Sequence, residues 1–294
     1  MYPNRFAYQR AENLLEALSV LNAYKDEIKL LSGGQSLLPL MKLRLVNPPR
    51  LLDIGRLQEL RGIRIEDGLL RIGALTRHVE LEKARLLRGM EILREGARVI
   101  ADPQVRNLGT IGGALAESDP AGDWPAVFLA LETAVICQSV KETRRIPIRD
   151  FFRNAYTTDL KAEEILTELE VAIPRSRRAS AYLKFKRKSG DFAVAGAAVM
   201  VEIGMDTMIQ EIGIGLAGVG LTPVKAANAE RILKGQRFEP ELLDKACEAL
   251  KDEIDPVDDL RGSPDYKREV AGVLFRRALT NAWERAVQSQ GLDG

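Results

Sequence analysis

Two glycine-rich segments of this 294-residue chain have the composition of an anion-binding site. The first, Gly33–Ser36, follows the strand-like run 28–32 and precedes a helical run that begins at Leu37. Residues without a Cβ let the backbone approach an anion closely and direct consecutive amides at it, and phosphate at such a turn also gains from the helix dipole. A purely structural tight turn remains the alternative.

The second segment, Gly109–Ala114, is another turn that could present amides and one hydroxyl, and a tight turn is again the alternative. Two such turns are more informative than one, because a pyrophosphate has two anionic groups and can be held from both sides. The pair therefore predicts a dinucleotide cofactor. No Gly-x-Gly-x-x-Gly pattern follows a predicted strand, and the Walker phosphate loop is absent, so a dinucleotide fold of another kind is expected.

Composition excludes several other classes of function. The formal charge of +1 gives no global attraction to nucleic acid, and 46% hydrophobic with 29% charged residues is typical of a folded globular chain. Cys137, Cys247 and His78 are the soft metal ligands, which is too few for a cysteine-bound iron–sulfur cluster and makes a structural zinc site improbable. No metal site is predicted, and any electron carrier should be organic.

The apolar run Phe192–Val201 is far shorter than the ~20 residues of a membrane span, so no span is expected. The first residues, Met1–Arg5, lack the apolar core of a signal peptide, and a cytoplasmic location is the expectation.

Predicted helices and strands alternate in the first half of the chain, where both glycine-rich segments lie. Apolar spacing and turn residues predict a helix over 11–24, strands over 28–32 and 50–53, a hairpin over 62–73 that turns at 67–68, and helices over 77–88 and 90–100. Ser36 and Thr76 are the expected N-caps of the helices that follow them. Asp102–Asp123 is predicted to be an ordered functional loop without regular structure. A helix over 124–131 and strands over 133–138, 145–148 and 169–173 follow.

The second half follows a basic linker predicted over 174–180. Three strand-like runs, 182–186, 193–201 and 209–217, precede three helical runs, 226–233, 241–251 and 266–287. Strands followed by helices are typical of an α+β unit. The length also favours two domains.

Three long segments resemble the FAD-binding medium subunits of the molybdenum hydroxylase family. Leu31–Leu45 with Leu52–Ile54 is similar to the first family signature, Val105–Ala114 to the second, and Lys184–Phe192 to a third segment. Medium chains of carbon monoxide dehydrogenases and the FAD domain of xanthine dehydrogenases are the most similar groups. The resemblance covers nearly the whole chain.

The resemblance implies an α+β chain with a two-lobed FAD-binding domain of the vanillyl-alcohol-oxidase (PCMH) type over 1–175, with lobes of about 1–55 and 56–175. A smaller C-terminal domain with a three-stranded antiparallel sheet and helices is implied over 176–294. FAD would lie between the lobes. The implied cofactor-binding residues are Leu30, Leu31, Ser32, Gly33, Gly34, Gln35, Ser36, Leu37, Ile100, Thr110, Ile111, Gly112, Gly113, Ala114, Asp123, Leu166, Lys186 and Phe192.

Within that set, the two glycine-rich segments would contact phosphate and ribityl groups mainly through the backbone. Asp123 matches an aspartate that hydrogen-bonds the cofactor, and its alternative is a cap for a helix beginning at Trp124. Lys186 and Phe192 match positions near the flavin; the alternatives are a solvated strand residue and an ordinary core phenylalanine. Gln35 departs from the histidine found in many relatives, although glutamine also occurs there, and Ala114 departs from the more usual asparagine.

By resemblance, the chain is an electron-transfer subunit with no catalytic side chains of its own. Its partners would be a large molybdopterin subunit and a small [2Fe–2S] subunit, with NAD or quinone as possible acceptors. A self-sufficient flavin reductase of the same superfamily, and a non-catalytic scaffold that has lost FAD, are the alternatives.

Overall fold

The computed structural model describes residues 2–85, 89–173 and 177–288. Its first lobe is a parallel three-stranded sheet in the order β1-β3-β2, with helices between the strands. The elements are β1 Ala7–Arg10, α1 Leu14–Tyr24, β2 Ile28–Leu31, α2 Leu37–Lys42 and β3 Arg50–Asp53. Helix α1 forms because Leu18 and Leu21 recur at helical spacing and are buried, and Asn13 caps its first turn.

The second lobe is built on a five-stranded antiparallel sheet in the order β4-β5-β10-β6-β7. Its strands are β4 Ile63–Glu66, β5 Leu69–Gly73, β6 Ala134–Gln138, β7 Thr143–Pro147 and β10 Ile165–Ala172, with a small ribbon of β8 Phe152–Asn154 and β9 Thr157–Thr158. Its helices are α3 His78–Lys83, α4 Glu91–Val99, α5 Pro103–Leu108, α6 Ile111–Glu117 and α7 Asp123–Ala130.

The C-terminal part is an antiparallel sheet covered by helices, as the order of the sequence signals predicts. Its elements are β11 Arg178–Phe185, β12 Ala195–Ile203, β13 Ile209–Ala217, β14 Val224–Lys225, α8 Ala227–Leu233, α9 Pro240–Asp252 and α10 Pro264–Gln288. The α+β class is confirmed. The sheet has four strands in place of the predicted three, because the short strand β14 pairs with β13.

The predicted long loop over 102–123 is wrong, because the segment contains α5 and α6. Its turn-forming residues are helix caps: the Asp102 carboxylate accepts from the amide of Val105 at 3.0 Å, and Thr110 caps α6. Pro103 stands at the first position of α5, where a missing N–H has no cost.

Several smaller predictions also differ. Ser36 has helical backbone angles and no side-chain cap bond. The N-cap of α3 is Arg77, not Thr76, whose hydroxyl instead donates to the carbonyl of Gly62 at 3.0 Å. Helix α3 ends at Lys83, and residues 86–88 of the longer predicted helix lie outside the described residues.

The predictions for the linker and for strand β1 also differ from the observed structure. Residues 174–176, where the domain boundary was expected, lie outside the described residues, and the linker does not extend to residue 180 because β11 begins at Arg178. Strand β1 was not predicted, since all four of its residues are exposed and leave no alternating apolar signal.

The N-terminal part, which comprises both lobes, and the C-terminal part pack closely through β13. A Cβ at Gly213 or Gly215 would overlap the carbonyl oxygen of Ala130 or Ala126, so these glycines let α7 lie directly on the strand. Gly213–Gly218 has the spacing of a Rossmann fingerprint, but it lies within and at the end of a strand. Its first two glycines serve helix–sheet packing.

Candidate functional site

The first glycine-rich segment presents a run of unused backbone amides. Within the described chain, the amides of residues 33–37 donate to no protein acceptor. Gly34 has φ +71°, a conformation that glycine adopts without strain, and the Gln35 side chain donates to the Gly33 carbonyl at 3.0 Å. Consecutive free amides in a turn form a concavity that suits an anion, as the sequence predicted.

The two glycine-rich segments meet. A Cβ at Gly33 would overlap the carbonyl oxygen of Leu108 and lie 2.9 Å from Cα of Gly109. Next to this contact, the Thr110 hydroxyl donates to the Ser32 hydroxyl at 3.2 Å. A Cβ at Gly113 would lie 2.8 Å from both hydroxyl oxygens, so glycine keeps these two groups uncovered. Free amides of one lobe and hydroxyls of both therefore converge on one place.

The second segment differs from the prediction in how it contributes. The amides of Ile111 and Gly112 donate to the carbonyls of Thr76 and Ala74, and those of Gly113 and Ala114 donate to Thr110. They are already used within the chain and are not presented to an anion. Gly112 serves close packing instead, because a Cβ there would lie 2.6 Å from Cβ of Ala74. The second segment therefore contributes the Thr110 hydroxyl to the site and does not contribute a row of free amides.

Replacing Thr110 by valine is expected to lower the free energy of unfolding by about 1 kcal/mol, because the N-cap bond to Gly113 is lost. The same change should weaken binding of the dinucleotide cofactor expected from the sequence, since the hydroxyl pair with Ser32 is broken. Thr110→Ser keeps the hydroxyl and is the matched control. Chemical denaturation and a cofactor titration measure the two effects. Equal behaviour of the valine and serine variants would contradict the assignment.

His78 lies against Gly109, where the two glycine-rich segments meet. Its Nδ1 accepts from the Trp124 indole N–H at 3.0 Å, and a Cβ at Gly109 would lie 2.6 Å from its Nε2. The side chain is therefore a buried, hydrogen-bonded histidine. Burial, with a smaller contribution from the Arg106 charge, lowers the pKa of His78 to about 4.

A folded-state pKa below the ordinary value of 6.5 makes His78 a source of acid sensitivity. Between pH 6.5 and 4 the unfolded chain binds a proton that the folded chain excludes, so stability falls as pH falls. The loss due to this group is expected to be about 2 kcal/mol between pH 7 and pH 5. His78→Gln, which keeps an acceptor for Trp124, should remove that part of the slope in urea unfolding. A slope unchanged in the variant would contradict the prediction.

A second group of predicted residues gathers around Asp123 at the contact between α7 and β11. Its carboxylate accepts from the Tyr182 hydroxyl at 2.7 Å and pairs with Lys184 Nζ at 2.8 Å, and both side chains of the ion pair are almost completely buried. Lys184 and Lys186 also donate to the Val99 carbonyl, next to Ile100. Burial, together with the Asp123 charge and hydrogen bond, raises the pKa of Tyr182 well above its ordinary value, so the phenol stays a donor.

This arrangement decides the alternatives left open for these residues. Helix α7 begins at Asp123 with Gly122 as its N-cap, so the Asp123 side chain is not a cap for a helix starting at Trp124. Lys186 follows the end of β11 and is hydrogen-bonded, not a freely solvated strand residue. Phe192 is 44% exposed, so it is not a core phenylalanine. No local pattern indicated that Tyr182 and Lys184 pair with Asp123, although Lys184 is the first residue of the third family-like segment.

Leu166 lies close to the second glycine-rich segment, and three other predicted leucines flank the first. Leu166 is buried on β10 beside a bulge, and the next carbonyl, that of Thr167, accepts from the amide of Ala74, which packs on Gly112. Leu30, Leu31 and Leu37 are half-buried on either side of the first glycine-rich segment. Ile111 is fully buried, so only its backbone can face a ligand.

The remaining candidate groups carry no site. Both cysteines are buried, and burial raises the pKa of Cys137 to about 12. Across residues 2–85, 89–173 and 177–288, no cluster of three histidine, cysteine or acidic side chains could hold a metal ion. In the same ranges, no helix combines the length and apolar character needed to cross a membrane.

Comparison with known proteins shows the family to which the chain belongs. Residues 4–176 match the family model for the FAD-binding domain in molybdopterin dehydrogenase, and residues 180–282 match the CO dehydrogenase flavoprotein C-terminal domain. The chain belongs to this family of FAD-binding subunits. It is an FAD-containing oxidoreductase subunit, the medium FAD subunit of a molybdenum hydroxylase complex.

The similar proteins match over almost their whole lengths. The medium chain of carbon monoxide dehydrogenase from Hydrogenophaga pseudoflava is 39% identical, covering 97% of this chain and 99% of the relative. The glyceraldehyde dehydrogenase medium chain of Sulfolobus acidocaldarius is 37% identical, covering 95% and 99%. A solved structure of the Hydrogenophaga enzyme, lacking the Mo-pyranopterin moiety of its molybdenum cofactor, has a TM-score of 0.94 at 40% identity, covering 97% of this chain and 99% of that one.

The residues present fit FAD. The free amides of residues 33–37 and the hydroxyls of Ser32 and Thr110 can hold its pyrophosphate at the meeting of the lobes. The predicted apposition of the two glycine-rich segments is what the structure shows, although the second segment contributes the Thr110 hydroxyl in place of most of its amides.

Proposed function

We propose that this subunit carries electrons from the iron–sulfur clusters of a partner to an external acceptor. Substrate oxidation would take place on a large molybdopterin subunit, a small subunit with [2Fe–2S] clusters would relay the electrons, and NAD or a quinone would receive them. The observation that carries the proposal is the end-to-end match to the medium chains of a carbon monoxide dehydrogenase and a glyceraldehyde dehydrogenase, the first of which belongs to an enzyme with a molybdenum cofactor. We further propose a cytoplasmic location.

We assign different parts of the cofactor to different residues of the site. We assign the pyrophosphate to Ser32–Ser36 and the Thr110 hydroxyl, with Ile111–Ala114 supporting Thr110 from within α6 and Leu30, Leu31 and Leu37 as flanking contacts. Ile100, Asp123, Leu166, Lys186 and Phe192 would surround the rest of the cofactor. The cofactor supplies the redox chemistry, since a flavin accepts two electrons together and releases them singly. The protein binds it, orients it and limits access to it.

Asp123 is the residue best placed to orient a bound group. Its two oxygens are fixed by Tyr182 and Lys184, which come from a different part of the chain than α7. Lys184 compensates the buried negative charge, so the carboxylate remains an acceptor for a hydroxyl of the cofactor. The neighbouring Val99 carbonyl, which accepts from two lysines, holds Lys186 at the same place.

Isolation of the chain from its source cells with its bound partners tests the proposal. We expect FAD, iron and molybdenum in one complex, and reduction of FAD through the clusters when substrate is added. Carbon monoxide, aldehydes and N-heterocycles are the substrate classes to try. A chain that purifies alone with FAD and oxidises NADH or NADPH with a small substrate would support the flavin reductase alternative. A folded chain that takes up no FAD would support the scaffold alternative.

A further inference from the structure

We infer that Arg261 holds the Phe192 ring at the edge of the FAD site and so limits access to the flavin. Arg261 is then a positioning residue, since it acts through Phe192. The inference rests on the proposed function, because it takes the segment 186–193 to border the cofactor.

The segment 186–193, between β11 and β12, is tied at both ends to the predicted site. Lys186 Nζ donates to the Val99 carbonyl at 3.3 Å, next to Ile100. The amide of Ala193 donates to the carbonyl of Ala121, two residues before Asp123, at 3.4 Å. Phe192 lies between these anchors and is 44% exposed. A large aromatic ring is thus kept at the surface next to the site.

The orientation of Phe192 is fixed by charged groups on two segments. The amide of Phe192 donates to one Asp191 oxygen at 2.9 Å, and Arg187 donates to the other at 3.1 Å. Burial acts to raise the pKa of Asp191, but the hydrogen bond from Arg187 and the neighbouring charges outweigh it and lower the pKa. Arg261 lies 3.9 Å from Asp191, and its guanidinium is 5.7 Å from the centre of the Phe192 ring, within the range of a cation–π contact.

The segment 257–261, between α9 and α10, is held firmly enough to act as a support. Lys267, which is 2% exposed, donates to the Val257 carbonyl and pairs with Asp259, both at 2.8 Å. A buried lysine is costly unless it is paired and hydrogen-bonded, and here both partners lie in this segment. Arg187 also donates to the Leu260 carbonyl at 2.6 Å, which joins the two segments directly.

The ring therefore has a support outside the FAD-binding part of the chain. The cation–π contact of Arg261 with a partly exposed ring corresponds to a shift of about two- to fivefold in the population of displaced ring conformers. Loss of the guanidinium should raise the exposure of the flavin by that factor without removing FAD. No residue that binds the pyrophosphate is altered.

Acrylamide quenching of FAD fluorescence in the full-length, FAD-loaded chain tests this inference. We expect Arg261→Ala to raise the quenching constant about two- to fivefold, and Phe192→Ala to raise it at least as much. Arg261→Lys, which keeps the charge but lacks the planar group, should give an intermediate value. Arg268→Ala is the matched control, since Arg268 also lies near the start of α10 and pairs with exposed aspartates.

The double variant separates positioning from general loosening of the fold. If Arg261 acts through Phe192, removing Arg261 adds nothing in the Phe192→Ala background. The inference would be overturned if removing Arg261 raised the quenching constant equally in the wild-type and Phe192→Ala chains. It would also be overturned if Arg261→Ala kept FAD bound and did not raise the quenching constant. If Arg261→Ala loses FAD, the comparison of Arg261→Lys with wild type decides, and unchanged quenching there also overturns it. Absence of FAD from the wild-type chain would instead count against the proposed function.

Discussion

Replacing Gly33 by alanine is expected to weaken FAD binding by about 10- to 100-fold. The new Cβ would overlap the Leu108 carbonyl and approach Gly109, and both obstacles are backbone atoms that cannot rotate away. The first glycine-rich segment must then move from the second. That movement separates the Ser32 hydroxyl and the free amides of residues 33–37 from the Thr110 hydroxyl. Titration of the purified chain with FAD measures the change.

The matched control for Gly33→Ala is Gly68→Asn. Gly68 forms the turn of the β4–β5 hairpin at φ +73°, a conformation that asparagine tolerates, and a Cβ there would meet nothing within 4 Å. This variant should bind FAD as the wild type does. Unchanged FAD affinity in Gly33→Ala would show that the contact between the two segments is not required for the site.

Replacing Lys184 by methionine is expected to lower the free energy of unfolding by about 3–5 kcal/mol. The Asp123 carboxylate, 2.8 Å from Lys184 Nζ, would keep its buried position but lose the only cation that the described residues pair with it. A buried charge without a partner is far more costly than the pair. Urea unfolding of the apo chain measures this loss without any contribution from the cofactor.

The double variant Lys184→Met with Asp123→Asn distinguishes charge compensation from simple packing. Neutralising the aspartate should recover most of the lost stability, because no uncompensated charge remains. Tyr182→Phe, which removes one neutral donor to Asp123, should cost less than Lys184→Met. A double variant no more stable than Lys184→Met alone would contradict the account of this pair.

The local patterns of the sequence predicted the main elements because burial and periodicity coincide there. Helix α1 has Leu18 and Leu21, and β5 has Leu70 and Ile72, buried at the spacing of the observed element. Strands β12 and β13 are almost continuously buried apolar runs. The short helices α5 and α6 were missed because Asp102, Pro103 and Thr110 are as typical of turns as of caps. A helix of six or seven residues offers too few turns for its periodicity to correct that ambiguity.

The site was predicted where a segment carries its own signal and missed where the contact is long-range. The free amides at Gly33–Ser36 are a property of one turn, so glycine content alone indicated them. The hydrogen bonds consumed by Ile111 and Gly112 depend on Thr76 and Ala74 of the preceding strand end, which no local pattern shows. Likewise, 59 residues separate Asp123 from Tyr182, and the pairing depends on how α7 packs against the C-terminal sheet.

We expect the two glycine-rich segments to hold a pyrophosphate at the point where the lobes meet. Comparing the affinities of FAD and riboflavin by isothermal titration calorimetry measures what the diphosphate and adenosine of FAD add to binding, since riboflavin has the flavin ring and ribityl chain but lacks both. Hydrogen bonds to a charged group are worth about 1.5–3 kcal/mol each, so two of them predict at least about 100-fold tighter binding of FAD. Equal affinities for the two ligands would contradict the claim.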